Sequence, residues 1–560
     1  MTISNFKFFL ISTLILQFGN LFSQQWGEYT FYSLKGTNTA VLLDTNGTLF
    51  KAWTFPTTDK TGYSSYVLQG GTVLRTVART GNSFNGGPIC GQVQKVDWNN
   101  NVLWNFVYST TTYCSHHDIC PMPNGNVLLI AYESKTAAEV TAAGSTSNII
   151  MWPDKIVEVK PTGLNTADVV WEWHAWDHLS QNVDAAKSNY QSSIVNHPEL
   201  LNINYKTTKD WMHVNGVSYN AELDQIAISS HNMNEIYIID HSTTTAQAAS
   251  HSGGNSGKGG DILYRWGNPA AYGASGTAVF NVVHDAHWIP KGCPREGYLV
   301  GFNNNGVSTT KSAVDFVNPP RYGYNYDITL GSAYLPSTYS KRYPCNGYTS
   351  NEGGSQQMPN GNVLITIALS GNVYEIDSNG NTLWSKTLTG STAKAFRYTG
   401  CYILGTPAIP TITQNGNILT SSNTVGNQWY FNGSAITGAT AQTYTATQNG
   451  NYQVKGIHGA NCESALSTAI AVNASGINNG NDATSIRIYP NPSNGRIIIT
   501  GIENRSNTTI TIYDALGKFL LNMPFNNELD LSSLESGFYY ISLKNNELDL
   551  STQKISIIKP

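Results

Sequence analysis

The sequence predicts an all-β protein in which a β-propeller is followed by two small β-sandwich domains. Three observations predict this class. Glycine is frequent, with 51 residues, and it often follows asparagine, a pair that favours hairpin turns because both residues tolerate positive φ. Long runs of Ala, Glu, Lys and Leu are nearly absent. A pattern of apolar strand, polar turn and aromatic-bearing strand recurs along much of the chain, which argues against a helical or doubly wound α/β protein.

Charge and composition exclude further classes. Asp and Glu total 36 and Lys and Arg total 32, so the net charge is −4 and lacks the basic excess of a typical nucleic-acid binder. Charged residues make up only 12 % of the chain, but 40 % hydrophobic and 11 % aromatic residues argue against disorder. The 560 residues are enough for several domains.

The N-terminus, residues 1–23, is typical of a signal peptide. Lys7 supplies the positive charge, residues 8–18 form a largely apolar run, and Ser23 is the small residue before a cleavage point. The run is too short to span a bilayer, and an uncleaved anchor is the alternative. No other apolar stretch is long enough, so the mature chain is predicted to have no transmembrane span.

Residues 24–405 carry the recurring hairpins. Each has a first strand that ends in an Asp/Asn/Gly turn and a second strand with an aromatic residue, as in residues 41–47 before Trp53 and residues 374–380 before Trp384. The early repeats are spaced near the length of a propeller blade, and later gaps are wider. A propeller is therefore favoured over an array of β-sandwiches or a β-helix, because this stretch is large for one sandwich.

A small Ig-like sandwich is predicted over residues 406–472. Trp429 lies on one predicted strand and Tyr452 on a later one, an arrangement typical of such a sandwich. The segment holds one cysteine, so no inter-sheet disulfide is expected. Residues 473–485 are rich in Ser, Asn and Gly and are predicted to be a linker.

The last segment, residues 486–560, has motifs of its own. It opens with Y-P-N-P at 489–492, continues with a D-A-L-G-K turn at 514–518 and has an S-G-F-Y-Y-I strand at 536–541. These motifs resemble the C-terminal sorting domain of the type IX secretion system. The resemblance implies a protein exported through the periplasm of a Gram-negative bacterium and secreted or held at the cell surface, with the type IX secretion machinery as a partner. Another small β-sandwich is the alternative.

Seven cysteines in an exported chain predict disulfides, with one thiol left over. Six of them precede residue 402, and Cys462 stands apart. The sequence does not define their pairing. No CxxC pair is present, which argues against a zinc ribbon.

Eleven of the twelve histidines precede residue 290, and four clusters combine histidine with Asp or Asn. Strand ends from successive blades converge on the central channel of a propeller, so these clusters are predicted to form one site. The alternative is that they are ordinary polar turn residues. The clusters are His116-His117-Asp118, Asp210-Trp211-Met212-His213-Val214-Asn215, Ser230-His231-Asn232 and His284-Asp285-Ala286-His287-Trp288.

Most chemistries open to a histidine cluster lack their motif here. There is no HExxH motif and no G-x-S-x-G elbow, so neither a metal site nor a serine hydrolase is predicted, and no cofactor is implied. The loop at 253–258 lacks the GxxxxGK[ST] form and is predicted to be a surface turn. A nucleophilic histidine that attacks sulfur or phosphorus remains, with Arg265 and other histidines as donors to the transferred oxygens.

The order of the motifs carries a second resemblance. H-H-D-I at 116–119 is followed by P-N-G-N at 123–126, D-W-x-H-x-N at 210–215, S-S-H-N at 229–232 and H-D-A at 284–286. Together they resemble the bacterial arylsulfate sulfotransferase family over about residues 30–400. The resemblance implies a six-bladed propeller with its site at the central channel. It also implies transfer of a sulfuryl group from a phenolic sulfate ester to a phenolic acceptor without a nucleotide sulfate donor.

Residue roles follow from the same resemblance. It implies that His284 is the nucleophile and is transiently sulfated. His117, His231 and Arg265 then bind and polarise the sulfate oxygens. The expected substrates are small molecules, and no nucleic acid is involved.

Three further histidines are candidates for supporting roles. His116 is adjacent to His117, and His213 and His287 are candidates for the base that takes the proton of the acceptor. Two other functions stay open. One is a secreted propeller that acts as a sulfatase or polysaccharide lyase, and the other is a non-catalytic surface binding protein with the Ig-like unit as adhesin.

Overall fold

The computed structural model describes residues 27–459, 462–473, 486–502, 507–545 and 548–559. The predicted signal peptide, residues 1–23, and all but the first residue of the predicted linker at 473–485 lie outside the described residues. The chain divides into two units. One extends to residue 407 and includes residues 458–463, and the other is formed by residues 408–457 and 464 onward.

Six four-stranded antiparallel sheets make up the first unit, which confirms the predicted all-β class and the six-bladed propeller. The first three blades use β1 (Tyr29–Ser33), β2 (Thr39–Leu43), β3 (Leu49–Thr54), β4 (Thr61–Val67), β5 (Val73–Ala78), β6 (Gly91–Val96), β7 (Val102–Val107), β8 (Tyr113–Pro121), β9 (Val127–Glu133), β10 (Asp154–Gly163) and β11 (Thr166–His174). A short parallel pair follows, β12 (Leu179–Ser180) and β13 (Leu201–Asn202).

The remaining blades follow in chain order. They use β14 (Val214–Asn220), β15 (Gln225–Ser230), β16 (Glu235–Asp240), β17 (Tyr264–Trp266), β18 (Val283–Trp288), β19 (Leu299–Ser308), β20 (Lys311–Val317), the hairpin β21 (Arg321–Tyr322) and β22 (Asn325–Tyr326), then β23 (Lys341–Pro344), β24 (Gly354–Gln357), β25 (Val363–Ile367), β26 (Asn372–Ile376), β27 (Thr382–Thr387) and β28 (Ala395–Tyr398). The helices of this unit are short: α1 (Ala137–Ala142), α2 (Thr245–Ala248), α3 (Gly400–Leu404) and three 3₁₀ turns at Ala175–His178, Ile194–Asn196 and Pro269–Tyr272.

The ring of blades is closed by strands from both ends of the propeller sequence. The last strand, β28, pairs with β1, so that Tyr398 is opposite Tyr29 and Arg397 is opposite Thr30 in the sheet β28-β1-β2-β3. The strands β4, β8, β14, β18, β24 and β28 are the first strands of their sheets and contact one another around the axis. They therefore line the central channel.

The recurring turn of the sequence joins the two outer strands of a blade. In three blades an aspartate carboxylate accepts backbone N–H groups two and four residues later, at 2.8–2.9 Å, which fixes the turn. These aspartates are Asp44, Asp97 and Asp377. The aromatic residue of the pattern lies on the outermost strand, where Trp53 and Trp104 are buried between blades.

The recurring sequence pattern does not reveal one of the six blades. Its two outer strands, β20 and β23, are separated by residues 318–340, which contain the hairpin β21–β22. The insertion replaces the Asp/Asn/Gly turn, and Tyr343 takes the position that tryptophan holds in other blades. This explains the wider gaps late in the sequence.

The second unit has two pairs of sheets, each around its own apolar core. The first pair is built from β29 (Ile412–Asn415), β30 (Ile418–Ser421), β31 (Asn427–Phe431), β32 (Ser434–Ala435), β33 (Thr443–Thr445), β34 (Gly450–Gly459) and β36 (Ile470–Val472), and β35 (Cys462–Glu463) lies between the last two in sequence. Sheet β29-β30-β33 and the strands paired with β31 and β34 share a core centred on buried Trp429.

The C-terminal pair of sheets matches the segment with the sorting motifs. Its strands are β37 (Arg487–Tyr489), β38 (Arg496–Thr500), β39 (Thr508–Asp514), β40 (Phe519–Pro524), β41 (Glu528–Asp530), β42 (Gly537–Asn545) and β43 (Leu548–Ile557). The sheets β37-β38-β41 and β40-β39-β42-β43 share a core that includes Ile497, Ile512 and Ile541. In the described part of the chain, no helix has the length and apolar character needed to cross a membrane.

The prediction of disulfide bonding is confirmed, but the structure has five free thiols instead of the single one expected. Cys401 and Cys462 form a disulfide, with Cα atoms 5.3 Å apart, so Cys462 does not stand apart. The other five cysteines are free thiols, and burial raises the pKa of Cys90 and Cys120 to about 12. Four of these five are buried, where a thiol packs as a small apolar side chain.

Candidate active site in the propeller channel

The histidine motifs coincide with bulges in the innermost strands. Regular pairing is interrupted between Ser115 and Ile119 in β8, between Val214 and Gly216 in β14, and between His284 and His287 in β18. A bulge inserts an unpaired residue and turns its side chain away from the sheet. The bulges therefore direct the motif side chains toward the channel.

Strained backbone marks the same positions. Positive φ occurs at His117 (50°), His213 (54°), Asp285 (57°) and Glu352 (57°), although none of these residues is glycine. Such a conformation is costly for a residue with a Cβ and is concentrated at functional sites. His117 and Asp285 lie within the bulges of β8 and β18. His213 and Glu352 lie just before the first residues of β14 and β24.

Four histidine rings from three blades form a continuous chain of contacts. The ring centroids of His117 and His213 are 4.6 Å apart, those of His213 and His231 5.0 Å, and those of His231 and His284 5.6 Å. The structure thus brings together the predicted residues His117, His231 and His284, and adds His213, which the sequence offered only as a candidate base. We call these four residues the histidine cluster.

Asn304 fixes the orientation of His284. The amide group of Asn304 donates to the carbonyl oxygens of Thr349 and Glu352, at 2.9 and 2.8 Å. Its Oδ1 atom is therefore an acceptor, and Nδ1–H of His284 donates to it at 2.7 Å. The lone pair of neutral His284 is consequently on Nε2, where the backbone N–H of Glu352 donates at 3.1 Å.

His213 and Asp210 form a histidine–carboxylate pair. Nδ1 of His213 lies 2.6 Å from Oδ2 of Asp210, which also accepts from the Tyr132 hydroxyl at 3.2 Å. Burial alone would raise the pKa of Asp210, but the hydrogen bond from His213 and the nearby imidazoles, with the Tyr132 hydroxyl, together outweigh it and lower that pKa. An ionised Asp210 holds the Nδ1 proton of His213 and leaves Nε2 directed away from the carboxylate, the arrangement of a general base.

His116 supports the cluster from behind. Its Nδ1 lies 2.7 Å from Nδ1 of His117, so one proton is shared between the two rings. His116 stacks on Tyr132 at 3.6 Å between centroids, and its Nε2 lies 2.8 Å from Oδ1 of Asp154. Burial raises the pKa of Asp154 well above its usual range, with the nearby Asp210 charge adding to the effect. His116 is thus a residue that positions His117.

Three residues of the cluster are held in their neutral form. Burial, reinforced by the neighbouring imidazoles, lowers the pKa of His117 and of His284 well below the usual histidine value and also lowers that of His231. Neutral imidazole is the nucleophilic form. An anion in the channel would reverse the shift, because an opposite charge favours protonated histidine.

A buried ion triad lies next to the cluster in sequence and in space. Nζ of Lys394 contacts a carboxylate oxygen of Asp118 and one of Asp285, both at 2.6 Å, and all three side chains are buried. These aspartates follow His117 and His284 directly. The two carboxylates raise the pKa of Lys394 despite its burial, and Lys394 keeps the pKa of Asp285 at about 2. The triad fixes the backbone that presents both histidines.

His287 does not join the cluster. It lines a cavity of about 250 Å³ together with Tyr66, Cys120, Trp288 and Lys394, and none of the four cluster histidines lines this cavity. Tyr66, Cys120 and Trp288 lie in the later parts of inner strands, beyond their bulges. Nδ1 of His287 lies 2.8 Å from the carbonyl oxygen of Asp285, so His287 is turned away from the cluster.

Arg265 is also elsewhere, and its predicted role is corrected here. It lies on β17, the outermost strand of its blade, and its guanidinium is bonded to both carboxylate oxygens of Glu235, at 2.9 and 2.5 Å. It also donates to the carbonyl oxygens of Pro198 and Leu200. The desolvated guanidinium is fully engaged by the fold, so it is not a donor in the channel.

Sequence reasoning missed three residues of the site. Asn304 lies in an Asn-Asn-Asn run that suggests a turn, and Glu352 contributes a backbone N–H, which no side-chain motif reveals. Lys394 gave one usable signal, a single lysine between Ala393 and Ala395 just before β28.

Comparison with known proteins identifies the family. The model of the family described as Arylsulfotransferase (ASST) matches residues 35–399, which is more than half of the chain. The chain therefore belongs to the arylsulfotransferase family, and this membership supports an aryl sulfotransferase activity in general. A second model, described as a secretion system C-terminal sorting domain, matches residues 487–559 and indicates export to the cell surface or beyond.

Solved structures offer only distant similarity. A protein of unknown function from Bacteroides caccae has 11 % identity and a TM-score of 0.36, covering 66 % of this chain and 98 % of its own. Virginiamycin B lyase from Staphylococcus aureus, solved with quinupristin, has 9 % identity and a TM-score of 0.29, covering 71 % and 93 %. The Cps50 (Swd1) β-propeller domain of Myceliophteria thermophila has 9 % identity and a TM-score of 0.29, covering 71 % and 94 %. Nothing about the function of this chain follows from these similarities. No protein of curated function matches the chain.

Proposed function

We propose that this protein transfers a sulfuryl group from a phenolic sulfate ester to a phenolic acceptor through a sulfohistidine at His284. The observation that carries the proposal is the histidine cluster, in which His117, His213 and His231 lie in a chain of ring contacts that ends at His284. Family membership supports the general reaction. The cluster would supply a nucleophile, proton donors and a base within one chain of ring contacts.

The first half-reaction is attack by His284. Its Nε2 lone pair forms a bond to sulfur while the bond from sulfur to the aryl oxygen breaks and the phenolate leaves. The contact between Nε2 and the Glu352 N–H opens as the N–S bond forms. That backbone N–H then becomes available to an oxygen of the sulfuryl group, as in an oxyanion hole.

His117 and His231 would hold the sulfuryl oxygens. Nδ1–H of His231 donates to Oδ1 of Asn232 at 2.9 Å, because the Asn232 amide itself donates to the carbonyl of Asp210. The Nε2 atom of His231 can therefore donate only when the ring is protonated. The negative sulfate ester favours that protonation, so substrate binding is expected to take up protons.

The pair of His213 and Asp210 would donate a proton to the leaving phenolate and remove one from the acceptor phenol. In the first half-reaction protonated His213 gives its Nε2 proton to the leaving phenolate. In the second, neutral His213 takes the proton of the acceptor phenol as its oxygen attacks sulfur and the N–S bond to His284 breaks. The enzyme returns to its starting state without a nucleotide donor.

An aryl sulfate assay with a coloured phenol product tests the function. Release of the phenol that depends on an added phenolic acceptor, with the sulfate found on that acceptor, supports transfer. Equal release in water alone would indicate a sulfatase. No release from a panel of aryl sulfates would favour a binding protein and contradict the proposal.

A further inference from the structure

A second cluster of ligating side chains lies outside the channel. Nδ1 of His178 and Nδ1 of His251 lie 2.9 and 2.7 Å from the same oxygen of Asp261. One ligand atom from each residue lies within 4.8 Å of the others. His178 is on the 3₁₀ turn Ala175–His178, and the other two residues are on the connection between α2 and β17.

The hydrogen bonding of His178 leaves a place for a cation. Its Nε2 lies 2.8 Å from the carbonyl oxygen of Ala248, which only accepts, so Nε2 carries the proton. Nδ1 of neutral His178 is then a lone pair that faces the oxygen of Asp261. Two facing acceptors repel each other unless a proton or a metal ion lies between them, and His178 is completely buried, so a metal ion can take the place of that proton.

We infer that His178, His251 and Asp261 bind a divalent transition-metal ion, most suitably Zn²⁺. Two imidazoles and one carboxylate are ligands that zinc accepts, with solvent in a fourth position beside the exposed His251. The bond from His178 Nε2 to a backbone carbonyl is the outer contact that metal-bound histidines usually make. Ligand atoms on tetrahedral zinc are about 3.3 Å apart, so the N–O distances open by about half an ångström.

The surrounding backbone is built to enclose His178. A Cβ at Gly260 would lie 1.9 Å from the Ala248 oxygen and 2.7 Å from Nε2 of His178, and Gly259 has a φ of 60°. Only glycine allows this approach. Trp173 lies parallel to the His178 ring and donates to the Gly260 carbonyl at 2.7 Å. The glycine-rich loop, which resembles a nucleotide loop without its motif, thus packs around a metal ligand.

Metal binding would fasten residues 250–261 to the turn at 175–178. It requires neither substrate nor the histidine cluster. Because the cluster offers alternative imidazole ligands for zinc, the two sites have to be separated by variants. His251→Ala suits this purpose, since its side chain is 64 % exposed and its loss does not disturb a core. Asp261→Asn removes the charged ligand.

Titration calorimetry of the full chain with ZnCl₂, after treatment with a chelator, tests the site. In a His213→Gln background we expect one zinc per chain. His251→Ala and Asp261→Asn should each weaken binding by more than the roughly 10–100-fold that loss of an outer partner costs. His197→Ala, an exposed histidine paired with Glu199, is the matched control and should bind normally. Absence of binding, or binding that both site variants retain, would overturn the inference.

Discussion

The His284 ring is fixed by Asn304, whose Oδ1 accepts its Nδ1 proton at 2.7 Å while the Asn304 amide donates to two backbone carbonyls. This contact decides which nitrogen of His284 has a lone pair. A nucleophilic role for His284 therefore depends on a residue that does not itself contact the transferred group.

Asn304→Leu should slow the formation of the sulfated enzyme. Without its acceptor the His284 ring is free to change tautomer and orientation. We expect a loss of about 10–100-fold in the single-turnover rate, comparable to the loss of a partner that orients a histidine ligand. Asn305→Leu, one residue further along the chain, is the control. An unchanged rate for Asn304→Leu in the folded protein would contradict the role of Asn304.

Asp210→Asn should slow turnover most for phenols of high pKa. The neutral amide no longer stabilises protonated His213, so acceptors of high pKa lose their base, whereas acidic phenols that ionise unaided lose little. The ratio of variant to wild-type turnover, measured across substituted phenols, should rise as the phenol pKa falls. A ratio independent of the phenol would indicate that His213 does not transfer the proton.

Binding of inorganic sulfate should take up protons near neutral pH. His117 and His231 have lowered pKa values in the free protein and are neutral there, and the anion raises those values. Affinity should accordingly increase as the pH falls from about 8 to 6, across the ordinary histidine pKa of about 6.5. Calorimetry in two buffers of different ionisation enthalpy counts the protons. No uptake, with pH-independent affinity, would argue against both residues as donors.

The Arg265→Met protein should have a lower free energy of unfolding than the wild type and an unchanged turnover. The substitution leaves Glu235 buried without its charge partner, a change that costs about 3–5 kcal/mol. Adding Glu235→Gln removes the unpaired charge and should recover part of that loss. Chemical denaturation gives the stabilities, and turnover per folded molecule should match the wild type. A folded Arg265→Met protein with lost turnover would restore Arg265 to the site.

The repeat architecture was predictable because several blades carry the recurring pattern within a short stretch of sequence. The turns at Asp44, Asp97 and Asp377 need side chains of defined length at defined spacing, so the sequence displays them. The blade with β20 and β23 was hidden because an insertion replaces that turn. The role of Arg265 follows from the resemblance, whereas its neighbour Trp266 is the kind of aromatic residue that the pattern places on an outermost strand, where the structure has β17.

The site was predictable only where its chemistry lies in motifs. His117, His231 and His284 stand in polar clusters of the sequence and could be found. Their partners come from other segments: Asn304 follows His284 by 20 residues on the neighbouring strand, and Lys394 pairs with Asp118 across 276 residues. The first pairing depends on the register of β18 and β19 and the second on the closure of the ring, and no local pattern records either.

Mass spectrometry of the protein after incubation with an aryl sulfate alone tests the central claim most directly. The account predicts one added sulfuryl group on the peptide that contains His284, lost on addition of a phenolic acceptor and absent in His284→Gln. His231→Gln should form the same adduct more slowly, on the same residue. A label on His117, His213 or His231, or turnover that His284→Gln retains, would contradict the assignment of His284 as the nucleophile.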